Sequence, residues 1–210
     1  IKGINTSKVF NAAVIANTVN TLNDTFQSSI QPFVNYNKQL ADLSAITGVS
    51  GGGLDDLGQK ARNLALQFGG TASEQIESFK GVLSKLGPDI AKSPEALNKM
   101  AIAINTVAKA SGLDATSSMD ALTTSMLQFG VDLSDPVKAA DEMNKMMNTL
   151  AAGAKYGAAE IPQVSEAVKV AGVAAYGANV SFEEMNAAIQ AMATGGKFGA
   201  EAGTALRNVI

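Results

Sequence analysis

The residues here that could do chemistry are carboxylates, lysines and glycine clusters, because the chain has no cysteine, histidine or tryptophan. That removes thiol nucleophiles, disulfides and thiolate metal sites, together with the commonest general base and zinc ligand. Glu77-Ser78 has the Glu-before-Ser order at which cell-wall transglycosylases place their catalytic acid. Such an acid needs burial that raises its pKa, and a groove for the sugar chain. Glu77 instead falls on the polar side of a helix marked by Ile76 and Phe79. The glycine-containing segment of that enzyme class does not follow, so the pattern predicts a solvated carboxylate. Asp55-Asp56 and Glu183-Glu184 fall in first helical turns, where carboxylates complement the helix dipole, and the EF-hand loop pattern is absent. Gly195-Gly196-Lys197 has the order that ends a phosphate loop, but Ala191 stands where that loop needs its first Gly and Phe198 where it needs Ser or Thr. It reads as a turn. Gly51-Gly52-Gly53 follows no predicted strand, so it reads as a hinge and not a dinucleotide turn. The expectation is a chain without enzymatic activity, with no catalytic residue, no cofactor site and no metal site.

Composition agrees. The 210 residues are 46% hydrophobic and 5% aromatic, with a formal net charge of -3. Lys and Arg are scattered singly, so neither a phosphate-binding patch nor a base-stacking platform is expected, and no specific nucleic acid binding. The chain begins at Ile1 and stops at Ile210 inside an apolar helical pattern, which reads as a fragment of a longer polypeptide. No basic region followed by an apolar block marks a signal peptide. The longest uncharged stretches, at 9–23 and 170–182, are too short and too rich in Asn and Gly to span a membrane.

The elements that must position these residues are helices throughout, giving an all-α fold. Thr71-Ala72-Ser73-Glu74 and Ser181-Phe182-Glu183-Glu184 are capping boxes, with Val180 and Met185 as a hydrophobic staple for the second. Ser93-Pro94 and Asp135-Pro136 each set a capping side chain before a proline at the first helical position. Gly87-Pro88, Gly112, Gly130 and Gly177 are stops. Between these marks apolar residues recur every three or four positions. Examples are Leu54, Leu57, Ala61, Leu64 and Phe68, or Val137, Ala140, Met143, Met147 and Leu150. Short helices striped in this way must pack antiparallel to their neighbours. Phe68-Gly69, Phe129-Gly130 and Tyr176-Gly177 each close a helix with an aromatic and a glycine ahead of a Ser or Thr, a hairpin device reused without a fixed period.

Residues 1–47 differ. Ile15, Val19, Leu22, Phe26, Ser29, Phe33, Tyr36, Leu40 and Leu43 step by four and three, a heptad seam whose single polar member is Ser29. The spacing predicts a long helix from about Asn5 to Ala45, kinked by Pro32 near Ser28. It packs either on copies of itself or along its own globular part. Residues 48–53 form a Gly-rich hinge, and 54–210 a compact array of short helices. Gly153-Ala-Lys-Tyr-Gly157 and Gly199-Ala-Glu-Ala-Gly203 carry small residues four apart, which lets two helices approach closely in water. The methionines at 119, 126, 143, 146, 147, 185 and 192 form either an adaptable interior or a permissive binding face.

Four segments in order carry a family resemblance. They are Val137-Lys-Ala-Ala-Asp141, Glu166-Ala-Val-Lys-Val-Ala171, Gly177-Ala-Asn-Val-Ser181-Phe-Glu-Glu184 and Gly199-Ala-Glu-Ala-Gly203-Thr-Ala-Leu-Arg207-Asn208. The stretch from about Ala115 to Ile210 resembles the core region of phage tail tape measure proteins, and the likeness extends more weakly back to Leu54. The resemblance implies a structural protein of a tailed phage or prophage, lying in the tail tube of the virion in several copies. It implies roles in tail assembly and tail length determination, with assembly in the bacterial host cytoplasm. Its implied partners are the tail tube protein, tail assembly chaperones and tail tip or baseplate proteins; self-association through the N-terminal helix is the possibility that the heptad seam itself raises. The alternative reading is a non-catalytic helical protein-binding module of a secreted or surface protein.

Overall fold

The computed structural model describes residues 6–210, with backbone alone for 6–20, 22, 23, 25 and 29. The expected helix start at Asn5 and the side chains of Ile15, Val19, Leu22 and Ser29 in the heptad seam lie outside the described residues. In chain order the helices are α1 (Thr6–Thr47), α2 (Gly52–Phe68), α3 (Ala72–Leu86), α4 (Pro94–Ser111), α5 (Ala115–Gln128), α6 (Pro136–Tyr156), α7 (Ile161–Gly177), α8 (Phe182–Thr194) and α9 (Gly199–Val209). A 3₁₀ turn at Pro88–Lys92 separates α3 from α4, and no strand occurs among the described residues.

Local side-chain chemistry sets these boundaries. Thr71 and Ser181 accept the backbone N–H of Glu74 and Glu184, each at 3.2 Å, and the Glu carboxylates return to the cap N–H groups at 2.8 Å. Ser93 caps α4 ahead of Pro94, and Asp135 caps α6 ahead of Pro136. Gly87, Gly112 and Gly130 take φ of 97°, 69° and 62° at helix ends. Gly177 departs from its expected role. It remains inside α7, and the left-handed position passes to Asn179 (φ 59°), a residue type that tolerates it. The Val180 N–H then returns to the Ala175 carbonyl at 2.9 Å and closes the helix end.

The helices stack in two layers. Each helix packs on its chain neighbour in the opposite layer, and on the helix two further along in its own layer: α1 on α3, α2 on α4, α3 on α5, α4 on α6, α5 on α7, α6 on α8 and α7 on α9. Helices two apart run parallel. Lys60 in α2 reaches Glu95 at the start of α4 (3.0 Å), and Lys99 in α4 reaches Asp141 in α6 (3.5 Å). Lys85 to Asp120 (2.9 Å) makes the same link from α3 to α5. Several of the singly scattered lysines thus bridge helices two apart, in part-exposed pairs that each contribute little. The stacking is that of helical repeat proteins, although helix length within α2–α9 varies from 11 residues in α9 to 21 in α6.

The core runs between the layers and includes Leu57, Phe79, Leu97, Ile104, Leu122, Met143, Val164 and Ile189. Each such side chain contributes about 1.5–3 kcal/mol by leaving water. The helical stripes fall where the periodicity puts them, apart from Val137, which is exposed. Met119, Met126, Met143, Met146 and Met185 are buried, while Met147 and Met192 are partly buried against the core. The methionines are interior.

α1 is a 42-residue helix that continues through Pro32. Its last turns join the stack: Leu43 is fully buried, and Tyr36 and Leu40 pack partly buried against the core. The link from α1 to α2 is tied down, with the Ser44 hydroxyl donating to the Val49 carbonyl (2.7 Å) and the Val49 N–H donating to Thr47 Oγ1 (3.1 Å).

Candidate functional site

The structure keeps the candidate chemical residues apart. Glu77 is exposed and pairs with Lys80 at 3.1 Å, while the Lys80 ammonium also donates to Gln39 Oε1 of α1 (2.8 Å) and pairs with Asp42 (3.6 Å). Glu77 borders a cleft of about 630 Å³ whose lining includes Glu74, Gln75, Asn105, Lys109 and Met119. Within it, Glu74 is committed to the α3 cap, and Gln75 and Asn105 bond to each other, Asn105 Nδ2 donating to Gln75 Oε1 at 2.9 Å. Glu77 lies open to solvent, whereas acid catalysis needs an enclosed carboxyl. Asp55 occupies the first turn of α2, and Asp56 faces Lys60 at 3.7 Å. The Lys60 ammonium is pushed above its ordinary pKa, first by its hydrogen bond to Glu95, against a smaller opposing effect of burial. Glu184 lies below the usual carboxylate range because the Ser181 backbone N–H and hydroxyl both donate to it. Lys197 pairs with Glu201 at 3.0 Å across the α8–α9 turn, where Gly196 takes φ 83°. Gly51, at φ 57°, precedes α2. Among the described residues no three acidic side chains gather to hold a metal ion, and no helix is long and apolar enough to cross a membrane.

The unusual surface is on α1. Phe26 and Phe33 are 63% and 67% exposed, and Ile30 and Val34 are exposed beside them. The seam is therefore divided: Tyr36, Leu40 and Leu43 face the chain's own body, while Phe26 and Phe33 face solvent. The division falls where α1 passes the start of α3. There a cleft of about 380 Å³ is lined by Pro32, Phe33, Tyr36, Arg62, Thr71, Ala72 and Ser73. Arg62 fixes Tyr36 in it by stacking its guanidinium 5.5 Å from the ring centre and donating to the hydroxyl. Residues 6–34 form an arm of roughly 44 Å at about 1.5 Å of rise per residue.

Buried amides were missed by the sequence reading. Asn186 and Gln190 of α8 face Gly153 and Gly157, the small pair four apart in and after α6. Gln190 clamps the α6–α7 connector, accepting the Ala159 N–H at 2.7 Å and donating to the Ala159 carbonyl at 3.0 Å. The signal was the matched spacing of four, amides on one helix and glycines on the other. Gly199 and Gly203 do bring α9 close to α7: a Cβ on Gly203 would lie 2.7 Å from the Ala167 carbonyl oxygen.

Two stacked layers and an exposed apolar arm define an all-α protein of the stacked-helix class. Residues 62–210 match the family described as phage-related minor tail protein, and the chain belongs to that family. Membership carries a structural role in the phage tail and a location in the virion tail. Over 177 residues, 83% of its length, the chain is 27% identical to the tape measure protein of Pneumococcus phage Dp-1. It spans 14% of that relative's length. No solved structure matches.

Proposed function

We propose that this chain is the core region of a tape measure protein, acting in tail assembly and tail length determination inside the tail tube. The observation that carries the reading is the contrast between arm and stack. Phe26, Ile30, Phe33 and Val34 leave an apolar face that the chain's own body does not cover, and copies lying side by side would cover it. The tube protein, assembly chaperones and tip or baseplate proteins are its partners on this reading, with assembly in the host cytoplasm. The stack is a docking module attached to the ruler, because helices folded back on one another cannot contribute their full rise to length. Electron microscopy of tails tests this. Deleting residues 52–210 in the parent gene should shorten tails by far less than the roughly 240 Å that a continuous helix of that size spans. Deleting an equal number of residues from an extended helical stretch should shorten them by about that amount. Proportional shortening in both would contradict the module reading, and unchanged length in both would contradict the ruler.

A further inference from the structure

We propose that α7–α9 open as one unit from α5 and α6, ahead of the rest of the stack, with Gly157–Ala158 as the hinge. This rests on packing alone and does not depend on the tail reading. The unit meets its neighbours along two seams, α5 on α7 in one layer and α6 on α8 in the other. Each seam contains a side-chain amide whose enclosed carbonyl oxygen has no hydrogen-bond donor among the described residues: Gln128 Oε1 in the first and Asn186 Oδ1 in the second. The other such oxygen, Asp120 Oδ1, lies 2.9 Å from the Lys85 ammonium and is compensated by charge.

Both amides hold their seams by long hydrogen bonds. Gln128 Nε2 donates to the Lys169 carbonyl at 3.3 Å, and Asn186 Nδ2 to the Thr149 carbonyl at 3.4 Å, against an ordinary length near 2.9–3.0 Å. Glycines make the room. Gly172 faces Gln128 and Gly153 faces Asn186, and a Cβ at either position would collide with the amide. An enclosed acceptor without a donor disfavours the closed state, and opening returns it to water. The seams on the other side of α5 and α6 carry the lysine–carboxylate links Lys85–Asp120 and Lys99–Asp141. Within the unit, α9 lies against the α7 backbone through Gly203. Gln190 of α8 holds both polar backbone groups of Ala159, so the connector beyond Ala158 travels with the unit. The Phe129–Phe182 contact, edge to face at 5.3 Å, joins the end of α5 to the start of α8 and parts when the unit opens.

Hydrogen exchange on the full chain across a denaturant series tests this, compared with a Gln128→Met/Asn186→Leu variant. Those replacements keep the bulk and remove both oxygens, and the Lys169 and Thr149 carbonyls keep their helix bonds. In the unaltered protein the amides of α7, α8 and α9 should merge into one opening transition, less protected than α2–α4. In the variant their exchange should slow by about tenfold or more while α2–α4 stay unchanged. Four results would overturn the proposal: fraying of α9 alone, protection of α7–α9 equal to that of α2–α4, unchanged or faster exchange in the variant, or a variant that fails to fold.

Discussion

Phe33 and Phe79 are the same residue type in helices of the same chain, and they do opposite things. Phe79, in α3, is fully buried, whereas Phe33, in the arm of α1, is 67% exposed. The stack buries the apolar stripe of each helix on its neighbours and leaves others, such as Leu66 and Val173, exposed one at a time; the arm presents Phe26, Ile30, Phe33 and Val34 outward together, on a helix otherwise rich in Asn, Gln, Ser and Thr and nearly uncharged. The lesson is that one periodicity can encode two destinations. A heptad seam runs through both parts of α1, and only the presence of α2 and α3 beside Tyr36, Leu40 and Leu43 decides which portion is core.

The largest expected difference follows from that pair. Phe79→Ala should destabilise the fold by about 3–5 kcal/mol in denaturant unfolding, while Phe33→Ala should stay within about 0.5 kcal/mol under conditions that keep the chain monomeric. Equal losses would erase the distinction between arm and stack. Glycines sharpen it next. Gly203→Val drives a side chain into the α7 backbone and should lower stability by roughly 1–3 kcal/mol. Gly52→Ala, at the start of α2 with open space around it, should be neutral or stabilising by up to about 1 kcal/mol. A smaller effect belongs to the caps. Ser181→Ala should cost about 1 kcal/mol by leaving a first-turn N–H without its acceptor, whereas Gln31→Ala, which removes an exposed amide contact to Asn35 in the arm, should change stability by less than about 0.5 kcal/mol.

Acid gives the finest comparison. The carboxyls of Asp114 and Asp135, which accept N–H groups at the starts of α5 and α6, are held below the usual carboxylate range, chiefly by the Ser117 and Lys138 backbone donors. Glu184 is held down in the same way by Ser181. A carboxyl more acidic in the folded chain than in the unfolded one stabilises fully above its ordinary pKa, and that stabilisation is lost as pH falls through the depressed folded value. Thermal midpoints of the stack should therefore drop as pH is lowered through the carboxylate range, and Asp135→Asn should reduce the drop. A midpoint that rises on acidification would contradict the role of these caps.

How much of this was legible in the sequence varied with the range of the interaction responsible. Capping boxes, proline starts and glycine stops act within one turn, so Thr71, Ser93, Asp135 and Ser181 sit where local chemistry puts them. Gly177 shows the limit of such rules, because Asn179 two residues later satisfied the same backbone requirement. The stripes predicted the buried faces of the helices, since burial follows from a period of 3.6 once every helix has a partner. The pairing of each helix with the one two further along was not legible: it depends on which apolar faces meet across long stretches of chain, and contacts such as Lys60 to Glu95 and Lys99 to Asp141, 35 and 42 residues apart, follow from it. The buried amides were hidden for the same reason. Asn186 and Gln190 look like solvent-facing residues until Gly153 and Gly157 are placed against them.

The central claim is that the stack is complete in itself and that the arm is left free to join other copies. Light scattering on the chain with and without residues 1–34 tests it most directly, since that cut removes Phe26, Ile30, Phe33 and Val34 and leaves Tyr36, Leu40 and Leu43 to the stack. The intact chain should give a mass of at least two copies of 21.5 kDa, and the shortened chain should be a folded monomer. A monomer in both cases, or an oligomer that survives removal of the arm, would contradict the account.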